Sequence, residues 1–372
     1  MLNFDSCVTL TPERAVSKYY AGLIKNLVYQ NPLSATRISD KIAGLLETAR
    51  KDFANLIGAR PAEIIFTSSG SEANNLAIKG FLAANPSRPK GVLTTFYEHS
   101  SVMAPIKSAA GNGYKFARAS CAEIAESAHE KTNLMPHGAA LAAFVMASGE
   151  TGEAFPIKEM TAAARAREIA VHCDACLTAG RISIDAGSLG VDMMSVSAHK
   201  FGGPAGVGAL YVRPGTRLFP LIEGGVEERG LRAGFYNVPA IAAAGLAARM
   251  ALESMDERNA ALKKLKLILC DEINKRIKGV KWVAGPDSPL NFYASFILPA
   301  TNAENLISRL SNSNILVSPY SWCVSAAKTP DSLIHKGIEE YEAAGYMRIC
   351  LSHHNTEKEI SRLAGKIANF IR

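Results

Sequence analysis

Six short stretches of this chain are apolar or β-branched almost from end to end: Ile64–Thr67, a run around Val92, Ala142–Met146, Ala170–Cys173, Met193–Val196 and Ala209–Val212. A strand with one wet face alternates apolar and polar residues. A uniformly apolar strand has to be covered on both sides, which a mainly parallel sheet between two layers of helices achieves. The segments between the runs carry helical spacing. From Ala35 to Ile57 the apolar residues Ile38, Ile42, Leu45, Leu46, Ala49, Phe53 and Leu56 fall on one helical face. A second helix is expected from Glu72 to Ala84. The fold class is therefore α/β, with a large domain over residues 13–255. Beyond Met255 the pattern changes to a Lys-rich helix, strands near Phe292–Leu298, Ile315–Val317 and Tyr346–Leu351, and a last helix. This predicts a smaller α+β domain of residues 256–372, joined by residues 1–12.

Composition narrows the function classes. Hydrophobic residues make up 48% and charged residues 20% of 372, which fits a folded protein and not a disordered one. The best apolar run, Gly138–Met146, is half of the roughly 18 residues a membrane span needs, so no membrane partner is expected. The opening MLNFDSCVTL lacks a basic region and holds Asp5 in its apolar stretch, so it does not read as a signal peptide and a cytoplasmic address is expected. The net charge is +7, but the 41 basic residues are scattered. Their densest cluster (Lys263, Lys264, Lys266, Lys275, Arg276, Lys278, Lys281) lies along a helix and reads as a solvated face, so nucleic acid is not an expected partner. The seven cysteines are odd in number and follow no secretory signal, which argues against a disulfide framework.

Ligands of open α/β sheets bind beyond the carboxyl ends of the strands, and three polar patches stand there. Thr67-Ser68-Ser69-Gly70-Ser71 leads a strand into a helix whose free N–H groups suit a phosphate, although a plain helix cap has the same appearance. Ser197-Ala198-His199-Lys200 ends another strand and suits a lysine used as a Schiff base. Asp174 ends a third, 26 residues before Lys200, where a carboxylate could face a pyridinium nitrogen. Together the three patches point to pyridoxal 5'-phosphate more specifically than any one of them. Cys173 and Cys176 form C-x-x-C, but no second pair with metal spacing accompanies them, so no metal is expected. A fourth patch, Ser318–Ser325, sets Cys323 in a polar loop that favours an accessible thiol.

The order and spacing of these patches resemble the class V aminotransferase family of fold type I pyridoxal phosphate enzymes, and within it the cysteine desulfurases with a long active-site loop. The resemblance runs over nearly the whole chain: Asn31-Pro32, Glu72-Ala73-Asn74-Asn75, Glu98-His99-Ser100, Pro156-Ile157, Asp174-Ala175, Ser197–Lys200, Glu228-Arg229-Gly230-Leu231-Arg232, Cys323 and Arg348. It implies that Lys200 holds the cofactor and moves the substrate α-proton, that Asp174 faces the ring nitrogen, and that His99 stacks on the ring as an acid/base. Gly70, Ser71, Ser197 and His199 would grip the phosphate. Arg348, through a bidentate pair, and Asn31 would hold the substrate carboxylate. Cys323 would take sulfur from L-cysteine as a persulfide, release alanine, and pass the sulfur to an acceptor or scaffold protein, as in iron–sulfur cluster assembly. A homodimer is implied.

Several positions depart from the family pattern. Asn-Asn-Glu is Ser148-Gly149-Glu150 here, and Asp-Ala-x-Gln is Asp174-Ala175-Cys176-Leu177. The phosphate-binding Thr that reaches across the dimer is Phe235, and the His after Asn-Pro-Ser-Ser is Thr36. Trp322 replaces a small residue, and Ser352 a Gly. Gly149 and Leu177 cannot hydrogen-bond the cofactor's phenolic oxygen. These changes keep two alternatives in view: a divergent lyase or aminotransferase with another substrate, and a catalytically impaired paralogue acting as a binding dimer.

Overall fold

The computed structural model describes residues 1–27, 31–127, 134, 138–318 and 329–371. Its strands, in chain order, are β1 (Leu2–Asn3), β2 (Ile64–Thr67), β3 (Gly91–Thr94), β4 (Lys115–Arg118), β5 (Leu141–Val145), β6 (Ala170–Asp174), β7 (Met193–Ser197), β8 (Gly208–Val212), β9 (Lys281–Ala284), β10 (Tyr293–Ile297), β11 (Ile315–Leu316) and β12 (Tyr346–Cys350). The chain forms two compact units. One comprises Thr11–Met146 and Phe155–Glu253, the other Met1–Leu10, Ala147–Ala154 and Ser254–Arg372. Among the described residues no single helix is long and apolar enough to cross a membrane.

The larger unit is built on a seven-stranded sheet in the order β2-β8-β7-β6-β5-β3-β4. From β4 to β7 the neighbours are parallel, and β8 is antiparallel to both β7 and β2. Every residue of β5, β6 and β7 is buried, as uniformly apolar strands require. Phe53, Phe144, Val171, Met194 and Val196 belong to a single core cluster. Burying each such side chain contributes about 1.5–3 kcal/mol. The register brings four chain points to one end of the sheet. Asp174 closes β6 opposite Ser195, Ser197 closes β7 opposite Gly208, and Gly208 also faces Thr67 at the end of β2.

After β2 the helix begins at Gly70 rather than at Glu72, because the Ser69 side chain accepts from the Glu72 N–H and caps it. A π-helical turn, Leu76–Gly80, follows it. Thr36 caps the helix Arg37–Leu56 in the same way, accepting from Ser39.

The smaller unit has a three-stranded antiparallel sheet, β12-β10-β9, and a separate parallel pair, β1-β11. Two expectations fail here. Cys7 and Cys350, 343 residues apart, form a disulfide with Cα atoms 5.6 Å apart. The odd cysteine count could not exclude it, because the pair is created by the N-terminal segment lying beside β12: Cys350 N donates to Phe4 O at 2.8 Å, and Ser6 N to Cys350 O at 3.1 Å. The Lys-rich helix Met255–Arg276 is also not uniformly solvated. Lys266 is 1% exposed and its ammonium donates to Ser288 O (2.8 Å), Ser288 Oγ (2.5 Å) and Leu290 O (3.1 Å). Its neighbours Lys264 and Lys275 remain on the surface in ion pairs.

Candidate active site

In the larger unit a line of hydrogen bonds joins the ends of three strands. Asp174 is buried, and its Oδ1 accepts from Cys176 N at 2.9 Å. Its Oδ2 accepts from Asn74 Nδ2 at 2.8 Å, and the same amide donates to Ser101 Oγ at 2.8 Å. Ser101 Oγ lies 2.7 Å from His99 Nδ1, which also accepts the Ser101 N–H at 3.1 Å. A nitrogen that accepts a backbone N–H carries no hydrogen, so the neutral imidazole holds its proton on Nε2. Asn74 and Ser101 thus orient Asp174 and His99 together. Sequence reasoning missed both as site residues. Nothing local marks them, since a polar residue in a helix looks the same in sequence whether it faces solvent or a carboxylate.

The segment expected to bind phosphate lies at the start of the helix Gly70–Asn75, which also carries Asn74. A Cβ on Gly70 would stand 2.4 Å from Cys176 Sγ and 3.2 Å from Ser197 Cβ, so only glycine lets this backbone lie against the ends of β6 and β7. Ser197 Oγ is 3.1 Å from His199 Nδ1. Burial, with a contribution from Lys200, pushes His199 down to about 4, so it is neutral at pH 7. Lys200 follows in a 3-10 turn, Ala198–Lys200, half-buried. Ser71 is exposed, and its carbonyl accepts from Asn75.

Glu98, half-buried beside His99, was not singled out for a role by the sequence. Its Oε1 accepts from Thr95 Oγ1 (2.7 Å) and Val145 N (2.9 Å), while Oε2 has no partner among the described residues. Burial pushes its pKa up to about 8 against those hydrogen bonds.

Arg348 belongs to the smaller unit, on β12, and is 2% exposed. Its NH1 donates to Gly149 O at 3.0 Å, and its NH2 to Ser318 Oγ at 2.7 Å and Asp5 Oδ1 at 3.2 Å. Its Nε has no partner among the described residues. The departure at Ser148-Gly149-Glu150 is held by main-chain carbonyls. Tyr293 OH donates to Glu150 O (2.6 Å) and Gly149 O (3.1 Å), and Tyr346 OH also reaches Glu150 O. Asn31 sits on an exposed turn with its Oδ1 accepting from Leu33 N at 2.9 Å. Cys323 and Trp322 lie outside the described residues.

Pyridoxal phosphate can be tested against this arrangement. Gly70 packed against the ends of β6 and β7, two neutral donors at Ser197 and His199, a lysine one turn on, and a buried carboxylate at Asp174 match a phosphate, an aldehyde and a ring nitrogen. Asn74 Oδ1 is buried there without a partner among the described residues. The residues fit the group.

The fold and this donor set are those of a pyridoxal phosphate-dependent enzyme. The sequence profile described as aminotransferase class V matches residues 3–363, and the chain belongs to that family. It is 34% identical over 374 residues to a cysteine desulfurase IscS of Clostridium botulinum, covering 99% of this chain and 93% of that one. It is 33% identical over 346 residues to a cysteine desulfurase NifS of Azotobacter vinelandii, covering 91% and 85%. A solved structure titled NifS-like protein superposes with a TM-score of 0.90 at 29% identity, covering 100% of this chain and 99% of that one.

Proposed function

We propose that Lys200, His99, Cys323 and Arg348 carry the chemistry of this pyridoxal phosphate-dependent cysteine desulfurase, which works as a cytoplasmic homodimer and passes sulfur to an acceptor protein. The observation behind this reading is the hydrogen-bonded line His99–Ser101–Asn74–Asp174 at the strand ends that also carry Gly70, Ser197, His199 and Lys200. Bound pyridoxal phosphate supplies an electron sink for the substrate α-carbon.

The remaining steps belong to the chain. Asp174 offers a buried carboxylate to the ring nitrogen. Gly70, Ser71, Ser197 and His199 bind the phosphate, the two side chains Ser197 and His199 as neutral donors. Lys200 takes the α-proton of L-cysteine, and His99, with its hydrogen on Nε2, serves as the second acid/base. Arg348 and Asn31 hold the substrate carboxylate, the guanidinium by charge-assisted hydrogen bonds. The Cys323 thiolate attacks the substrate sulfur. An S–S bond forms on Cys323 as the substrate C–S bond breaks, and protonation at the β-carbon yields alanine. The persulfide sulfur then goes to the acceptor's thiol.

The homodimer is supported by the apolar side chains that the larger unit leaves exposed: Phe219, Leu221, Ile222, Val226 and Phe235. Incubation with L-cysteine should produce alanine and sulfide in the parent. Cys323→Ser should abolish persulfide formation, and Lys200→Ala should abolish alanine. Alanine formation no greater in the parent than in Lys200→Ala would overturn the proposal.

A further inference from the structure

We propose that Arg181 is a positioning residue for Lys200: its guanidinium grips the lysine's own carbonyl oxygen and fixes the turn that carries the lysine side chain. This rests on Lys200 being the cofactor lysine. Arg181 Nε and NH2 donate to Lys200 O at 3.1 and 2.9 Å, so two donors of one planar fork converge on a single acceptor. Such a grip fixes the orientation of the peptide as well as its distance.

The segment that presents Arg181 is itself tightly folded. It leaves β6 at Asp174. Ala175 O accepts from Thr178 N at 3.1 Å and Ala179 N at 2.9 Å, and Thr178 O accepts from Arg181 N at 2.9 Å. Gly180 stands at φ +73, and a Cβ there would meet Phe201 Cβ at 2.6 Å. The Asp174 turn is therefore pressed against the residue next to Lys200, and Arg181 completes the contact.

On the other side, the Ala198 carbonyl takes Phe201 N (3.1 Å) and Gly203 N (2.9 Å), which closes the lysine turn. The Lys200 carbonyl projects from that turn to Arg181. The two loops that carry the carboxylate and the lysine are thus linked through one buried cation, 7% exposed. Burial lowers Arg181 to about 10, which leaves it charged at neutral pH.

The test uses full-length protein before and after loading with pyridoxal phosphate, in the parent, R181Q, R181K and R181M. Without cofactor, the rate of Lys200 acetylation by acetic anhydride at fixed pH, read by peptide mass spectrometry, reports how the turn presents the lysine. We expect R181Q and R181M to change that rate at least about twofold, while the surface Lys275 reacts as in the parent. We expect R181K, which keeps the charge but loses the fork, to capture pyridoxal phosphate at least about threefold more slowly by absorbance. Folded R181Q whose Lys200 labelling rate equals the parent's overturns the proposal. If R181Q and R181M do not fold, R181K decides alone, and an unchanged capture rate overturns it. A parent that captures no cofactor would sink the reading of Lys200 instead, while the labelling comparison would still judge Arg181.

Discussion

Arg50 of the larger unit and Lys266 of the smaller are buried cations satisfied in opposite ways, one by a carboxylate and the other by neutral oxygens. In the larger one, Arg50 meets Glu228 through two bonds, NH2 to Oε1 at 2.7 Å and NH1 to Oε2 at 2.8 Å. Phe66 N adds a third bond to that carboxylate at 2.6 Å. In the smaller one, Lys266 is surrounded by two carbonyls and a hydroxyl. Arg348 shares its donors among a carbonyl, a hydroxyl and Asp5. The difference follows from how each unit is assembled. A seven-stranded sheet between helices supplies its own core, and one ion pair ties a helix to a distant loop. The smaller unit is made from three separate chain pieces, where Lys266 and Arg348 gather carbonyls from loops and a disulfide joins Cys7 to Cys350.

The largest expected effect breaks the ion pair. Glu228→Gln leaves buried Arg50 with only the exposed Glu47 as a partner charge and should cost about 3–5 kcal/mol. Urea unfolding followed by far-ultraviolet circular dichroism checks this, with Trp282 fluorescence reporting the smaller unit. A midpoint equal to the parent's would mean that the larger unit does not depend on the pair.

Next comes the covalent tie. Reducing Cys7–Cys350, or replacing Cys7 with Ser, should cost the smaller unit about 2–4 kcal/mol. The Trp282 transition should fall with dithiothreitol in the parent and stay indifferent to it in Cys7→Ser.

The smallest effect concerns Lys266. Burial lowers its pKa from the ordinary 10.5 to about 8. Between those values the unfolded chain holds a proton that the folded chain has released, so stability should rise with pH across that window, by on the order of 1–3 kcal/mol. Lys266→Met should flatten the rise. Parallel slopes in parent and variant between pH 8 and 10.5 would show that the carbonyls fully compensate the buried charge.

Burial decided what could be read in the chain. Six strands of the large sheet announce themselves because both faces are covered. The seventh, β4, pairs with β3 alone and carries Lys115 and Arg118, so it lacks the apolar signal. β9, at the edge of the small sheet, opens with exposed Lys281 and was hidden for the same reason. Lys200, Asp174, Ser197 and His199 stood out because each follows directly on an apolar strand. Asn74 and Ser101 did not, since a polar residue in a helix looks the same whether it faces solvent or a carboxylate.

The sequence by itself determined the α/β class, the strand-end positions of Asp174, Ser197, His199 and Lys200, and membership of the class V aminotransferase family. Those properties live in local pattern: two-sided burial makes uniform apolar runs, and a strand end followed by small or charged residues marks a binding edge. Tertiary structure decided the rest. Whether Lys266 faces water or carbonyls, whether Cys7 meets Cys350, and whether Asn74 touches Asp174 depend on contacts between residues 22, 343 and 100 positions apart. No local pattern encodes such distances, because they are set by how whole elements pack.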